Sequence, residues 1–265
     1  MRRLAIVNQK GGVGKSATTE NLGAALAEEG HRVLLVDLDP QGHLTKAMGA
    51  PNAVEPATLT GALLGQWSGQ LGELVTPYRE RLHLLATSSD MFLLEPQMYS
   101  RTGREYLLSR LLDGFAGGYD YCLIDCPPSL GALTDTALVA VRRPRPDDAH
   151  EAGGVLIPVQ AEDSSLDALR LLTRQIDTVE QALGLTLDVT GVVVNLYDGR
   201  RGRIATSTLA AYEAMDGVDV LAVVGDRTAI REAWRVQRPV LEHAPDSDAA
   251  GWYRELAQRV QKVMA

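Results

Sequence analysis

The sequence predicts an α/β fold with a mostly parallel, twisted sheet covered by helices on both faces. Short apolar runs without polar alternation recur along the chain, each followed by an amphipathic helical pattern. A glycine-rich turn joins the first run to the first helix. Strands that are apolar throughout are typical of parallel sheets buried on both sides. We expect one domain over residues 1–265, because no linker or internal repeat interrupts the pattern.

The individual elements follow from the same patterns. The runs predicted to form strands are RLAIVN, RVLLVDLD, RLHLLAT, YDYCLID, GVLIPVQ, LDVTGVVVNLYD and VDVLAVV. The segments predicted to form helices are KSATTENLGAALAEEG, REYLLSRLLDGF, SLGALTDTALVAV, SSLDALRLLTRQIDTVEQAL and the tail 248–263. Gly30 ends the first of these helices. The segment 142–154, RRPRPDDAHEAGG, is polar and unpatterned, so we expect an exposed loop there.

Composition limits the class of protein. With 45% hydrophobic and 23% charged residues, the chain is ordinary for a globular protein. A net charge of -8 argues against a surface that is basic throughout, but it allows a local basic patch. Cys122 and Cys126 are four apart on one predicted strand, a separation of ~13 Å that no disulfide bridges. We therefore expect two buried free thiols in a reducing cytoplasm.

The stretch NQKGGVGKSATT, residues 8–19, indicates a phosphate site between the first strand and the first helix. The P-loop pattern is G-x-x-x-x-G-K-[ST]; Gly14, Lys15 and Ser16 supply its end, while Gln9 stands at its first glycine. Glycines let backbone N–H groups approach phosphate oxygens, and the helix start adds partial positive charge. We expect Lys15 to contact the β- and γ-phosphates and Ser16 to bind Mg²⁺.

Acidic residues end two of the predicted strands. Asp37 and Asp39 close VLLVDLD, and Asp125 closes CLID. Ligands of parallel sheets bind beyond the carboxyl ends of the strands, so these carboxylates should share one edge with the P-loop. Asp125 is typical of the aspartate that holds Mg²⁺ or its water in such enzymes. The sequence therefore predicts a P-loop NTPase fold with a nucleotide and Mg²⁺ at this edge.

The motifs KGGVGKS, VLLVDLDPQG, YDYCLIDCPPSLG and VLIPVQ, in this order, resemble the ParA/MinD family of deviant Walker ATPases. The resemblance covers essentially the whole chain, and ParA-type partition proteins are the most similar members. It implies a weak Mg²⁺-dependent ATPase in which ATP joins two copies into a homodimer. It also implies that Lys10 reaches across to the partner's ATP, that Asp39 positions the attacking water, and that Asp37 supports the Mg²⁺ shell.

Asn195 ends the strand TGVVVN, where the resemblance implies a contact with adenine; a turn-forming asparagine is the alternative. The predicted catalytic residues are Lys10, Lys15 and Asp39. The predicted metal-site residues are Ser16, Asp37 and Asp125. The residues predicted to bind ATP are Lys10, Gly11, Gly12, Val13, Gly14, Lys15, Ser16, Ala17 and Asn195.

Arginines cluster late in the sequence. If DRTAIREAWR is helical, Arg227, Arg231 and Arg235 share one face, which can follow phosphates without reading bases. The resemblance implies nonspecific binding of the ATP dimer to double-stranded DNA and release by a ParB-like centromere-binding partner. The predicted DNA contacts are Arg200, Arg203, Arg227 and Arg231. A solvated helix face, offset by Glu232 and Asp226, is the alternative.

Other members of the family have features that differ from those expected here. MinD-like proteins end in a basic amphipathic helix that lies on a membrane. In this tail Leu256, Val260 and Val263 share one side, for which we expect packing into the core and no stable membrane binding. We expect a short form without an N-terminal helix-turn-helix domain, cytoplasmic and associated with the nucleoid in its ATP state. A MinD-like ATPase that positions a cargo or acts at a membrane is the alternative.

Overall fold

The computed structural model describes residues 1–51, 56–199, 203–215 and 217–265, except for the side chains of Asp163, Arg203 and Ile204. The strands are β1 (Arg2–Ile6), β2 (Val33–Asp37), β3 (Val75–Arg79), β4 (Leu82–Leu85), β5 (Tyr121–Asp125), β6 (Ala152–Gln160), β7 (Val189–Tyr197) and β8 (Val220–Gly225). They form one eight-stranded sheet in the order β3-β4-β2-β5-β1-β6-β7-β8. Every neighbouring pair is parallel except β3 with β4. This confirms the predicted α/β fold class.

Helices cover both faces of the sheet. They are α1 (Lys15–Glu28), α2 (His43–Ala47), α3 (Leu59–Leu63), α4 (Met91–Met98), α5 (Leu107–Asp113), α6 (Ala132–Ala140), α7 (Asp163–Leu183), α8 (Arg203–Glu213), α9 (Thr228–Arg235), α10 (Val240–His243) and α11 (Asp248–Val263). Two short 3₁₀ helices span Leu71–Leu74 and Arg104–Tyr106. Within the described residues, no helix is both long and apolar enough to cross a membrane.

Two hydrophobic cores lie on opposite faces of the sheet, as the alternation of side chains along β1 requires. Leu4 and Ile6 of β1 belong to a core that includes apolar residues of α1 and α11. Ala5 belongs to the other core, with residues of α4, α5, α6 and α7. Because both faces are buried, the central strands are mostly apolar. Arg3 of β1 is the exception that pairing allows, since it is fully buried and forms an ion pair with Asp113.

The strand register brings the predicted site residues together. Ile6 at the end of β1 lies opposite Asp125 at the end of β5, and Asp125 also lies opposite Asp37 at the end of β2. The turn after β1, which is the P-loop, therefore starts beside both carboxylates. This is the edge of the sheet at which the sequence predicted the site.

The seven predicted strands are confirmed, whereas β3 was missed. Its sequence, VTPYR, contains Pro77 and is half exposed, and it pairs antiparallel at the end of the sheet. An edge strand tolerates proline, and its exposed positions need not be apolar, so the sequence pattern of a strand is weak there. The tail forms α11 over the predicted residues, with Leu256 and Val260 fully buried. The prediction for Val263 was wrong, since that residue is 50% exposed.

The prediction of an exposed loop over 142–154 was wrong in part. Arg142 is buried, donates to the Ser109 hydroxyl at 3.0 Å and forms an ion pair with Asp148. His150 is also buried, with Nε2 2.9 Å from the Arg142 carbonyl. The last three residues of the segment belong to β6. Polar residues can be buried when they pair with one another, which a polarity pattern does not reveal. By contrast, Cys122 and Cys126 are buried free thiols, as predicted.

Glu20 is a buried acid on α1. Its side chain lies in the apolar interior, and its Oε1 has no hydrogen-bond partner among the described residues. Burial, with a smaller contribution from Glu242, raises the pKa of Glu20 to about 8. The protonated acid therefore suits this environment better than the carboxylate does.

We expect Glu20→Gln to stabilise the protein at alkaline pH. The folded-state pKa is raised, so the wild type has its full stability below the unfolded-state pKa and loses it as the pH rises through about 8. The neutral variant escapes this loss, which amounts to ~5 kcal/mol at most. Urea unfolding of both proteins between pH 5 and 9 measures the difference. The exposed Glu80→Gln serves as control, and parallel profiles for wild type and Glu20→Gln would contradict the assignment.

Candidate functional site

The P-loop between β1 and α1 adopts a conformation that requires glycine. Gly12 and Gly14 have φ angles of 75° and 86°, and Gly14 precedes the first residue of α1. Residues other than glycine rarely adopt this left-handed backbone conformation. Asn8 stabilises the start of the loop, because its Oδ1 accepts from the Lys10 N–H at 2.9 Å and its Nδ2 donates to the Pro158 carbonyl. The loop is therefore shaped to present backbone N–H groups at the start of a helix.

Asn195 supports the P-loop from the end of β7. Its Nδ2 donates to the Val13 carbonyl at 2.9 Å and to the Thr18 hydroxyl at 3.0 Å. A Cβ on Gly14 would lie 2.8 Å from the same Nδ2, so the amide also excludes any larger residue there. Its Oδ1 is buried and has no partner among the described residues. An amide donor engaged with the loop leaves only this oxygen for the predicted contact with adenine.

Lys15 lies in the centre of the site. Its side chain is buried, and its Nζ donates to the Lys10 carbonyl at 3.3 Å. Burial lowers the pKa of Lys15, and the nearby Asp125, Cys126 and Asp39 oppose this shift. An ammonium group held out of water beside carboxylates gains a strong interaction from phosphate oxygens placed within its reach.

Asp125 has the surroundings of a metal-site residue. It is fully buried, and neither carboxylate oxygen has a hydrogen-bond partner of ordinary geometry among the described residues. Burial and the neighbouring Asp37 raise the pKa of Asp125 well above its usual range, while Ser16 and Lys15 act in the opposite direction. A divalent cation would satisfy these oxygens and offset the repulsion between the carboxylates. The residues present therefore fit Mg²⁺ near Ser16 and Asp125.

The described residues contain no group of three or more His, Cys, Asp or Glu side chains arranged as a metal cage. Mg²⁺ is usually held by one or two carboxylates, water and the phosphates of a nucleotide.

Asp37 and Asp39 differ in their surroundings although they are two residues apart. Asp37 Oδ2 accepts from the Thr45 N–H at 2.7 Å and from its hydroxyl at 2.6 Å, which ties β2 to α2. Burial raises the pKa of Asp37 to about 6, against the lowering effect of these bonds. Asp39 Oδ1 accepts from the Gln41 N–H, and Oδ2 lies 3.7 Å from Nδ1 of His43. Among the described residues, the carboxylate of Asp39 therefore accepts fewer hydrogen bonds than that of Asp37.

Lys10 turns away from the centre of the P-loop and contacts the start of α7. Its Nζ lies 2.8 Å from Oε2 of Glu162, 2.9 Å from the Ser164 hydroxyl and 3.3 Å from the Ser165 hydroxyl. The side chain is 26% exposed. The two lysines of the motif therefore occupy different surroundings, with Lys15 inside the site and Lys10 at its rim.

Comparison with known proteins agrees with this geometry. A family model described as an AAA domain, AAA_31, matches residues 1–189. The chromosome partitioning protein ParA of Caulobacter vibrioides is 35% identical over 98% of this chain and 94% of its own length. The chain belongs to the ParA family of P-loop ATPases.

Solved structures extend the similarity to three dimensions. Cobyrinic acid a,c-diamide synthase from Mycobacterium smegmatis, with bound ATP analogue and magnesium, is 34% identical and covers 97% of this chain and 93% of its own, with a TM-score of 0.80. MinD from Pyrococcus horikoshii, complexed with Mg-ADP, is 26% identical with a TM-score of 0.77, covering 98% and 96%. These complexes confirm ATP and Mg²⁺ as the expected ligands of the fold. ParA-family membership makes the chain an ATP-hydrolysing enzyme.

The predicted DNA contacts are only partly brought together. Arg200 lies outside the described residues, as does the side chain of Arg203. Arg231 lies on α9, is 65% exposed and pairs with Asp226 at 3.0 Å. Arg227 departs from the predicted row, since it precedes the helix in an extended conformation and its guanidinium lies 5.2 Å from the centre of the Trp252 ring. Helix geometry leaves Arg231 and Arg235 on one side.

The arginine-bearing helix α9 is attached to the nucleotide-binding part of the ParA fold at two points. The Val240 N–H, at the start of α10, donates to Oδ1 of Asn21 on α1 at 2.7 Å. Gln237, which follows α9, packs on Gly49 just after α2, where an added Cβ would lie 3.2 Å from its Oε1. One contact thus reaches the helix of the P-loop, and the other reaches the segment that follows Asp39.

Several residues of the site were missed from the sequence. Glu162 binds Lys10, Thr45 binds Asp37, and Gln160 Nε2 donates to the Gly12 carbonyl at 3.1 Å. Glu162 and Gln160 lie at the carboxyl end of β6, and this position beside the predicted site could have identified them from the sequence. Thr45 had none, because a lone threonine after a strand matches no pattern.

We expect Lys15→Ala to weaken ATP binding by more than ~100-fold, because it removes the buried cation nearest the phosphates. Calorimetric titration with ATP and Mg²⁺ measures this. Lys46→Ala is a matched control, since Lys46 is exposed and its Nζ binds only the Gln41 carbonyl among the contacts of the described residues. ATP affinity in Lys15→Ala equal to that of the control would exclude the P-loop as the phosphate site.

Proposed function

We propose that this chain is a DNA-partition ATPase whose ATP-bound homodimer binds DNA nonspecifically until a ParB-like, centromere-binding partner stimulates hydrolysis. One observation carries the proposal: a second lysine, Lys10, lies at the rim of the P-loop while Lys15 serves its centre. The similarity to Caulobacter ParA, 35% identical over nearly the whole chain, supports the same assignment. In this proposal the protein is cytoplasmic and associates with the nucleoid when ATP is bound.

The ATPase activity follows from the positions of the charged groups. Lys15 and the N–H groups of the P-loop hold the phosphates; Ser16 and Asp125 would hold Mg²⁺, which would supply positive charge to the phosphate oxygens. Asp39, whose Oδ1 accepts from the Gln41 N–H and whose Oδ2 lies near His43, orients the attacking water. Positioning and charge stabilisation are the main contributions to phosphoryl transfer, so a site with one water-positioning carboxylate should be slow on its own.

Dimerisation requires Lys10 to leave its contacts with α7. A partly exposed ion pair such as Lys10–Glu162 contributes about 1 kcal/mol or less. A phosphate group of a second subunit's nucleotide offers Lys10 a stronger, charge-assisted interaction in a less solvated setting. The exchange is therefore favourable, and it makes ATP part of the interface between the two copies.

We expect Lys10→Ala to bind ATP with near-normal affinity but to remain monomeric and inactive. Asp39→Ala is the matched comparison, because it should bind ATP, accumulate as a dimer and fail to hydrolyse it. Sedimentation velocity with and without ATP distinguishes the two, and phosphate release measures turnover. An ATP-dependent dimer of Lys10→Ala would contradict the role of Lys10 across the interface.

The DNA-binding part of the proposal rests on α9 and its neighbourhood. Arg231, Arg235 and Arg238 are exposed within eight residues. Arginines in such a row neutralise backbone phosphates without reading bases, which produces salt-sensitive, nonspecific binding. Two copies joined through their nucleotides would present two such rows to one duplex. Binding would then depend on ATP because each row alone makes few phosphate contacts.

We expect Arg231→Glu to reduce ATP-dependent binding to nonspecific double-stranded DNA by about 10-fold or more at physiological salt, with ATPase activity retained. Arg143→Glu is the matched control, because Arg143 has a similar exposure of 61% and forms a similar ion pair. Its partner Asp188 lies just before β7, at the amino ends of the strands and away from α9. Fluorescence anisotropy over a range of salt concentrations measures binding. Equal losses in both variants would point to net charge rather than to α9.

The decisive experiment for the proposed function is an ATPase assay with five arms: protein alone, with nonspecific DNA, with a ParB-like protein, with both, and with anionic lipid vesicles. Partition predicts the greatest stimulation when both are present. Stimulation by anionic lipid vesicles, with none by DNA and the ParB-like protein, would instead favour the MinD-like alternative.

A further inference from the structure

No strand among the described residues pairs with the outer edge of β8. β8 is the last strand of the sheet in the described part of the chain and pairs with β7 on one side. Val192 lies opposite Val220, and the Val192 N–H donates to the Asp219 carbonyl at 2.8 Å. In a parallel pair this arrangement turns the N–H and C=O of Val220 away from β7. The Val223 groups point outward for the same reason, because Val223 lies opposite Val194.

A groove follows this edge. A cavity of about 430 Å³ lies at the start of β8, and a second of about 710 Å³ lies at its end. Val223 and Trp252 line both cavities, so the two adjoin and together run along the strand. A strand of six residues is ~20 Å long, enough for a bound segment of similar length. We call this feature the β8 groove.

Charge at the start of the β8 groove is mainly negative. Glu213, Asp219 and Glu255 line it, and Arg259 is the one basic residue among its described lining residues. Arg259 is already paired with Glu255 at 2.6 Å, which leaves Glu213 and Asp219 to attract a cation. Both are exposed. A ligand of this end of the groove should therefore carry lysine or arginine.

Within the part of the chain that the structure describes, this edge is only lightly protected. Proteins usually shield an exposed edge strand with charged side chains, proline or a covering loop. Here Arg259 Nη1 donates to the Val220 carbonyl at 3.4 Å, which is long for a hydrogen bond. A backbone N–H from an added strand can replace this contact with a shorter one, while Arg259 keeps its ion pair with Glu255.

We propose that the β8 groove binds an extended, basic segment of a partner protein as a ninth strand of the sheet. Backbone hydrogen bonds to Val220 and Val223 supply affinity, and the acidic start of the groove selects lysine or arginine. The wall formed by Trp252 receives one apolar side chain of the segment. This surface does not involve the P-loop, so the inference stands whether or not the proposed ATPase cycle is correct.

The test uses the full chain without nucleotide and three fluorescein-labelled nine-residue peptides. One alternates lysine and valine, one alternates glutamate and valine, and one has the lysine peptide's charge with prolines in place of two valines. Proline cannot donate a backbone hydrogen bond, so the third peptide separates strand addition from charge attraction. Anisotropy measures affinity, and hydrogen exchange followed by mass spectrometry measures protection of β8.

We expect the lysine–valine peptide to bind about 10-fold more tightly than either other peptide, and to slow exchange in β8. Glu213→Lys combined with Asp219→Lys should weaken its binding by about 10-fold. Asp177→Lys, an exposed reversal on α7, should leave binding unchanged. Equal binding of the proline peptide, no binding of the lysine–valine peptide, or unchanged exchange in β8 would overturn the proposal. So would self-association through β8, detected as concentration-dependent protection, since the strand would then serve a second copy.

Discussion

The nucleotide site depends on the register in which three parallel strands end. Ile6 and Asp37 both lie opposite Asp125, so the P-loop and two carboxylates start from one point of the sheet. The apolar strands on either side keep water away, which raises the pKa of both carboxylates. Charges in this arrangement repel one another until a cation joins them. A divalent cation with a phosphate ligand would relieve this repulsion, which follows from the strand order rather than from any single residue.

The loop itself is shaped from two directions. Its glycines allow the left-handed turns at Gly12 and Gly14. Asn195, at the end of β7, then holds the loop by binding the Val13 carbonyl and the Thr18 hydroxyl. Asn195 and Gly14 are interdependent, because a side chain at position 14 would collide with the amide. Because the sheet fixes the position of Asn195, the P-loop is preorganised, and less ordering is needed when a ligand binds.

Sequence patterns predicted the parts of the site that are local, and they missed the parts that are made by distant residues. The P-loop and the strand-end aspartates could be found because each occupies a few consecutive positions with a definite chemical order. Glu162 could not be assigned to Lys10, because 152 positions separate them and only the adjacency of β6 to β1 brings them together. The prediction for the segment after Arg142 was wrong for a related reason. Its polar sequence predicted an exposed loop, whereas Arg142 and Asp148 form a buried ion pair. Arg227 lies outside its predicted row because α9 begins only at Thr228, and its guanidinium lies over the Trp252 ring instead.

The attachment of α9 to α1 and to the turn after α2 has a mechanical consequence. Val240 at the start of α10 contacts Asn21 of α1, the helix that carries Lys15, and Gln237 contacts Gly49, which follows α2. The segment that joins α9 to α10 is therefore held against the P-loop helix at one point and against the turn after α2 at another. In any assembly built on paired nucleotide sites, these contacts would relate the position of Arg231 and Arg235 in one copy to that of its P-loop helix, and through the paired sites to the same two residues of the other copy.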